Sequence, residues 1–132
     1  MDSEHAEARR HKPDGLTYRI NGAAMAVHSK LGAGLFEAVY ENALCLEFER
    51  RGIGYERQKR FTVRYDGIDV GEMVADLVVE DRVIVELKSV KELLPIHEAQ
   101  IIAYLRAANL KRGLLINFNV VSLKSGIRRF SV

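Results

Sequence analysis

The most informative segments of the chain are Val83-Ile84-Val85-Glu86-Leu87-Lys88 and, just before it, Val74-Ala75-Asp76-Leu77-Val78-Val79. Both segments are typical of buried strands, since β-branched residues dominate them. Side chains on a strand alternate between its two faces, so Glu86 and Lys88 share a face with Ile84. We therefore expect two charged groups on one face of an otherwise apolar strand.

Two interpretations account for these charges, because burial of an unpaired charge is costly. In the first, Glu86 and Lys88 form a structural ion pair, or their face of the strand is hydrated. In the second, Asp76 and Glu86 hold a divalent cation, and Lys88 stands beside a phosphate that is attacked. The pattern of these three residues alone leaves both open, so the rest of the chain has to decide.

Asp81-Arg82 is not a favoured two-residue hairpin turn, which prefers Asn-Gly or Asp-Gly. Such a turn would put Asp76 opposite Leu87 and on the opposite face of the sheet from Glu86. A three-residue loop at 80–82, or one bulge, would instead put Asp76 opposite Glu86. We predict this second register, with the two carboxylates converging and Glu37 approaching from its helix.

The whole chain predicts one α/β domain, a mixed β-sheet flanked by helices, covering residues 16–132. Residues 1–15 are charged and nearly free of apolar side chains, which predicts a flexible N-terminal arm. Helical and two-residue periodicities mark the elements. The predicted helices are 16–31, 35–51 and 95–109, and the predicted strands are 61–65, 68–79, 83–90, 114–118 and 126–132. The strand, helix, strand order from 83 to 118 predicts a parallel pair in one sheet.

The composition is that of a soluble globular protein, with 132 residues, 48% hydrophobic and 29% charged. No run is long enough to cross a membrane and the N-terminus does not resemble a signal peptide, so we expect a cytoplasmic protein. The net charge of +2 means that any affinity for nucleic acid has to come from local patches. The candidate patches are Arg57 with Lys59 and Arg60, Lys111 with Arg112, and Lys124 with Arg128 and Arg129.

Several single residues have two interpretations. Glu37 opens the second helix, where an acid is favourable at the positive end of the helix dipole without any other role. Gln100 and Tyr104 are four residues apart on the third helix and project together, as either surface contacts or part of a site. His97 is a surface histidine or a ligand. Cys45 lies on an apolar helix face, which favours a core side chain.

The order of motifs resembles a known family. Gly34-Leu35-Phe36-Glu37-Ala38-Val39-Tyr40 has the pattern G-x-x-E-x-x-Y, and it is followed by Ala75-Asp76-Leu77, Val85-Glu86-Leu87-Lys88, Gln100-Ile101-Ile102-Ala103-Tyr104 and Gly113-Leu114-Leu115-Ile116-Asn117-Phe118. From about 20 to 129 the chain resembles the GxxExxY family, a branch of the PD-(D/E)XK nuclease superfamily. The Gln-x-x-x-Tyr helix is similar to that of RecB-like nucleases. Ala75 stands where the superfamily pattern has proline.

This resemblance implies a restriction-endonuclease-like core that cleaves nucleic acid. It implies that Glu37, Asp76 and Glu86 are metal ligands, with the Leu87 carbonyl as a further one. Lys88 would position the attacking water. Gln100 and Tyr104 would steady the site or the nucleic-acid backbone. Oxygen ligands of this kind suit Mg²⁺ or Mn²⁺.

Two functions remain open from the sequence. The first is metal-dependent phosphodiester hydrolysis of nucleic acid, DNA before RNA. The second is a non-catalytic module that uses the nuclease fold for nucleic-acid binding or for assembly. The small size of the chain leaves little room for a recognition domain, so specificity would come from a homodimer or a partner protein.

Overall fold

A five-stranded sheet with the strand order β1-β2-β3-β4-β5 forms the centre of the molecule. A computed structural model describes residues 15–132. The elements are α1 (Gly15–Leu31), α2 (Glu37–Arg50), β1 (Tyr55–Tyr65), β2 (Ile68–Val79), β3 (Val83–Lys88), α3 (Pro95–Ala108), β4 (Arg112–Asn117), a 3₁₀ turn (Leu123–Gly126) and β5 (Ile127–Ser131). Strands β3 and β4 are parallel and the other neighbours are antiparallel. The predicted α/β domain with a mixed sheet is confirmed.

The predicted N-terminal arm lies outside the described residues, except for Gly15, which is the first residue of α1. Within residues 15–132, no helix is long and apolar enough to cross a membrane. The sequence did not predict the 3₁₀ turn, and it placed the start of β1 six residues late, since that strand begins at Tyr55.

Helices pack on both faces of the sheet and make two hydrophobic cores. Helices α1 and α2 cover one face, where Ile20, Tyr40 and Phe48 meet side chains of the central strands. Helix α3 covers the other face through Ile101 and Leu105. Cys45 is buried in the first core, as predicted. The sheet is therefore the middle of three layers, and its charged strand end lies between helices of both outer layers.

The turn between β2 and β3 has the odd length that the sequence predicts. Glu80, Asp81 and Arg82 connect the strands, and the first two have left-handed backbone angles, φ 52° and 55°. Leu77 consequently pairs with Val85, so the same register continued by one residue puts Asp76 opposite Glu86. The register prediction is confirmed, and it depends on a loop that no two-residue turn could replace.

The strand β2 changes face at Asp76. Leu77 and Val79 belong to the core under α1 and α2, whereas Met73 and Ala75 belong to the core under α3. Regular alternation would keep these four odd-numbered positions on one face. The strand is therefore irregular at Asp76, the position where the sequence places its candidate metal ligand.

Candidate active site

Strands β2 and β3 stop pairing just before the charged residues. Their ladder consists of Val79 with Val83, Val78 with Ile84, and Leu77 with Val85. Beyond that point β3 continues beside β4 as far as Lys88 opposite Asn117. The sheet therefore forks between Asp76 and Glu86. Backbone groups at a fork lack their strand partners, and they need other hydrogen-bonding groups if they are sheltered from water.

The side chains of Asp76 and Glu86 supply these hydrogen bonds. The Asp76 backbone N–H donates to Glu86 Oε2 at 2.7 Å, and the Leu87 backbone N–H donates to Asp76 Oδ2 at 2.9 Å. Each carboxylate thus accepts a hydrogen bond from the strand that carries the other. This exchange holds two acids side by side at the fork, where like charges repel.

The electrostatics of the fork raise the pKa of its carboxyl groups. Burial is the main reason that the pKa of Glu86 is raised to about 8, and the neighbouring Asp76 adds to the effect. Burial likewise raises the pKa of Asp76, against the lowering effect of its hydrogen bond from Leu87. A cation placed here would offset the repulsion, so the donor set fits a divalent metal ion.

Lys88 does not form the structural ion pair that the sequence left open. In the described part of the chain, no carboxylate lies within ion-pair distance of its ammonium group. Its Nζ is 3.5 Å from Gln100 Oε1, and Gln100 Nε2 donates to the Tyr104 hydroxyl at 3.2 Å. The three side chains form a chain from β3 to α3. Burial, with a contribution from Glu86, raises the pKa of Tyr104.

Glu37 is brought to the site by a rigid loop before α2. The Tyr40 hydroxyl donates to the Gly32 carbonyl at 2.6 Å and accepts the Leu35 N–H at 3.1 Å. The Ser89 hydroxyl donates to the Leu35 carbonyl at 2.6 Å, which ties the loop to the end of β3. Partial desolvation, and then the charge of Asp76, raises the pKa of Glu37. Glu37 nevertheless remains exposed to solvent.

Two further polar residues contact the site that the sequence did not single out as part of it. Glu41, one turn after Glu37, is buried and accepts hydrogen bonds from Arg57 Nε and Nη2 at 3.1 and 2.9 Å. Gln58 on β1 donates through Nε2 to Glu41 Oε1 at 3.0 Å, and the same nitrogen is 3.5 Å from Asp76 Oδ1. Nothing in the local sequence distinguishes Gln58 from the polar residues around it in β1.

Asn117 is a third residue whose role the sequence did not predict, because it lies at the end of an apolar strand. Its side chain is buried, accepts the Val90 N–H at 3.1 Å and donates to the Val90 carbonyl at 2.9 Å. The amide of Asn117 therefore fixes the chain that leaves β3 after Lys88. It keeps the end of the charged strand in place without touching the carboxylates.

Residues 15–132 do not contain a compact three-ligand metal centre. Among residues 15–132, no group of three or more His, Cys, Asp or Glu side chains is arranged to hold one ion. The fork does bring Asp76 and Glu86 together, and the charge of Asp76 contributes to the raised pKa of Glu37. Two carboxylates suffice for Mg²⁺, which keeps several waters and binds substrate phosphate oxygens.

The histidines outside the predicted arm have structural partners. His97 Nδ1 accepts the Leu94 N–H at 3.0 Å, which caps the start of α3. His28 Nε2 donates to the Val120 carbonyl at 2.8 Å. The interpretation of His97 as a surface residue is therefore favoured over that of a ligand.

The first of the predicted basic patches is largely neutralised by acids. Arg57 pairs with Glu41, Lys59 with Glu56, and Arg60 with Glu72. In the third patch Arg128 pairs with Glu98. These four side chains are therefore not free positive charges, and contact of any patch with nucleic acid stays a prediction.

Residues 14–130 match the family model of the PD-(D/E)XK nuclease superfamily. The matched segment begins one residue before α1 and ends within β5, so it includes every element that builds the fork. No curated protein and no solved structure gives a significant match to the chain.

Proposed function

The chain belongs to the PD-(D/E)XK nuclease superfamily, and from this premise we propose that it hydrolyses phosphodiester bonds in DNA with the help of Mg²⁺ or Mn²⁺. One observation carries the proposal. Asp76 and Glu86 lie opposite each other at a fork in the sheet, and each accepts a backbone hydrogen bond from the other's strand. Placing the half-buried Asp76 beside the buried Glu86 is unfavourable for the fold alone.

Asp76 and Glu86 would hold the metal ion, with the Leu87 carbonyl and Glu37 as further ligands. A bound divalent cation would neutralise charge on the phosphoryl oxygens and lower the pKa of water. Oxygen donors of this kind select Mg²⁺ or Mn²⁺ over zinc. The exposed position of Glu37 leaves room for water and for substrate oxygens beside Asp76 and Glu86.

Lys88 would orient the attacking water and the phosphate. Its side chain follows Glu86 on the same face of β3, and no acid competes for its charge in residues 15–132. Gln100 and Tyr104 would hold Lys88 in position or contact the nucleic-acid backbone, since they extend from it along α3. A fixed cation near the phosphate stabilises the negative charge that develops during hydrolysis.

The finer assignments belong to the same proposal. The G-x-x-E-x-x-Y pattern ending at Tyr40 supports the GxxExxY family, and the Gln100 and Tyr104 spacing supports a RecB-like relationship. A homodimer or a partner protein would supply substrate specificity. A cytoplasmic location stays a prediction from the sequence.

A cleavage assay with a matched acid control tests the proposal. The parent chain, Asp76→Asn and Asp69→Asn are incubated with mixed DNA and RNA substrates in Mg²⁺, in Mn²⁺ and in EDTA. We expect metal-dependent cutting by the parent and by Asp69→Asn, because Asp69 is an exposed residue of the same strand that pairs with Arg64. Asp76→Asn should cut far more slowly.

The alternative function, a non-catalytic binding or assembly module, predicts a different result. The parent would then bind nucleic acid without cutting it in either metal, and Asp76→Asn would bind equally well. That outcome would contradict the proposed hydrolysis.

A further inference from the structure

Gln58 has a backbone conformation that its side chain does not favour. It is the one non-glycine residue inside a strand of the described chain with a left-handed φ, at 49°. The residues beside it pair normally, Arg57 with Leu77 and Lys59 with Ala75. A residue with a Cβ is disfavoured in this region, which glycine and asparagine tolerate better. Strain of this kind persists only where surrounding contacts enforce it.

The contacts of the Gln58 amide show what the unusual backbone achieves. Its Nε2 donates to Glu41 Oε1 at 3.0 Å and lies 3.5 Å from Asp76 Oδ1. The other oxygen of Glu41 is occupied by Arg57. Glu41 is thus a fixed acceptor, and the amide nitrogen of Gln58 spans the space between it and Asp76.

The position of Gln58 coincides with the irregularity of the neighbouring strand. The register around it puts Gln58 level with Asp76, between the pairs formed by Arg57 and Lys59. Strand β2 switches faces at that same level, since Ala75 and Leu77 belong to different cores. Both strands of the hairpin are therefore distorted at one rung, and this rung contains the carboxylate proposed as a metal ligand.

Fold stability gives little reason for the contact with Asp76. The side chain of Gln58 is exposed to solvent and so is this contact, which therefore competes with water and contributes little to folding. A glycine would adopt the same backbone without strain. The amide is therefore present at a position where neither the backbone conformation nor the solvent exposure favours it.

We propose that Gln58 is a positioning residue that orients the Asp76 carboxylate for metal binding. Leu87 N–H holds Asp76 Oδ2, and the Gln58 amide approaches Oδ1, so the plane of the carboxylate is restrained from both sides. The inference rests on the proposed function, because it assumes that Asp76 is a ligand. Groups that orient a metal ligand through hydrogen bonds typically change metal affinity about 10- to 100-fold when they are removed.

Calorimetric titration with Mn²⁺ and thermal unfolding test the proposal on Gln58→Gly, Gln58→Asn and the control Asp66→Gly. Glycine removes the amide and the strain together. Asparagine keeps an amide and tolerates the left-handed backbone, but its side chain is one methylene shorter and cannot span both acids. Asp66 has φ 52° in the turn between β1 and β2, so its replacement repeats the backbone change away from the fork.

We expect Gln58→Gly and Gln58→Asn to bind Mn²⁺ about tenfold or more weakly than the parent, with a Tm equal to or above the parent value. Asp66→Gly should bind like the parent. With saturating Mn²⁺, cleavage by the two Gln58 variants should recover while the KM for DNA stays unchanged, because the residue acts through the metal ligand.

Three results would overturn the inference alone while leaving the proposed function in place. The parent and both Gln58 variants could bind Mn²⁺ equally. Gln58→Asn could bind like the parent while Gln58→Gly binds weakly, which would assign the effect to backbone rigidity. A Tm loss of more than about 5 °C in both variants, with Asp66→Gly unaffected, would assign the amide to the fold. A parent that binds no Mn²⁺ would instead overturn the proposed function together with this inference.

Discussion

The two halves of β3 differ in their neighbours. Val83, Ile84 and Val85 have β2 on one side and β4 on the other. Glu86, Leu87 and Lys88 keep β4, but β2 no longer pairs with them. All charges of the strand lie in this second half. Charged residues are tolerated in an interior strand where a neighbour departs, because their side chains can then supply the missing hydrogen bonds.

The two halves of β3 have different roles: the first stabilises the fold, and the second carries the residues proposed for metal binding and cleavage. The first half contributes buried apolar surface to both cores. The second half carries Glu86 and Lys88, and its Leu87 N–H holds the Asp76 carboxylate of β2. Substitutions in the first half should therefore change the free energy of unfolding, and substitutions in the second half should change metal binding and cleavage.

The largest effect on cleavage is expected for Lys88→Ala, in the second half of β3 (residues 86–88), which lies at the fork. Loss of a preorganised cationic group at the phosphate should slow cleavage about 10²- to 10³-fold, as for other electrostatic catalytic groups. The fold should be retained, because Lys88 has no acidic partner among the described residues. Single-turnover cleavage and circular dichroism measure the two quantities.

Arg82→Ala is the matched control, since Arg82 is an exposed basic residue just before β3, at the opposite end of that strand from Lys88. It should cleave like the parent. If Lys88→Ala fails to fold, Lys88 contributes to the stability of the fold, as the first half of β3 does.

In the first half of β3 (residues 83–85), which pairs with strands on both sides, Ile84→Ala should lower the free energy of unfolding by about 2–5 kcal/mol. Ile84 is fully buried beneath α3, so the truncation leaves a cavity. Urea unfolding measures the loss, and Leu46→Ala on the exposed side of α2 is the control, with an expected change within about 0.5 kcal/mol. Mn²⁺ affinity of the folded Ile84→Ala protein should equal that of the parent. A large loss of affinity would show that the two halves are not separable.

In the absence of metal, the second half of β3 should also make the stability of the fold depend on pH, through Glu86. The pKa of Glu86 in the fold is raised from 4.5 to about 8, so the unfolded chain ionises this group first as the pH rises. The folded state binds the extra proton between these values, and stability therefore falls over this range. Glu86→Gln in EDTA should become more stable relative to the parent from about pH 5 to about pH 8. Parallel Tm curves for the two proteins would contradict the burial of an ionisable group at the fork.

The smallest effect is expected for Arg60→Ala on the exposed part of the β1–β2 hairpin. Arg60 and Glu72 form a solvent-exposed pair at 3.3 Å, and such pairs contribute little to stability, about 0–1 kcal/mol. Because the charge of Arg60 is already offset, the variant should also bind a DNA oligonucleotide as the parent does. Fluorescence anisotropy at two salt concentrations measures this, and a weaker, less salt-dependent interaction would restore the predicted basic patch.

Much of the fold was predictable because it depends on local patterns. Helical spacing located α1, α2 and α3, and Pro95 begins α3 as expected for a residue without an N–H. The register of β2 and β3 was predictable for a different reason. Asp81-Arg82 is a poor two-residue turn, so the chain needed the longer loop that puts Asp76 opposite Glu86.

The missed residues depend on contacts between distant segments. Gln58 and Glu41 are 17 positions apart, and the local sequence around each one does not distinguish it from other polar residues of its strand or helix. The neutralisation of Arg57 also required the fold, because its acidic partner lies on another element. Periodicity reports which face a residue occupies, but it does not report which side chain lies across from it.

Local sequence patterns were enough to predict the three helices, the five strands, the register of the charged hairpin and the grouping of Asp76, Glu86 and Lys88. These features follow from spacing along a helix or strand and from turn length. The separation of β2 and β3 at that group, and the distortion of both strands of the β1–β2 hairpin beside it, became visible only in the three-dimensional structure. The same is true of Lys88, which lies near Gln100 and pairs with no acid in residues 15–132. The physical reason is that hydrogen bonds and charges act through space, at distances that only the packing of helices on both faces of the sheet sets.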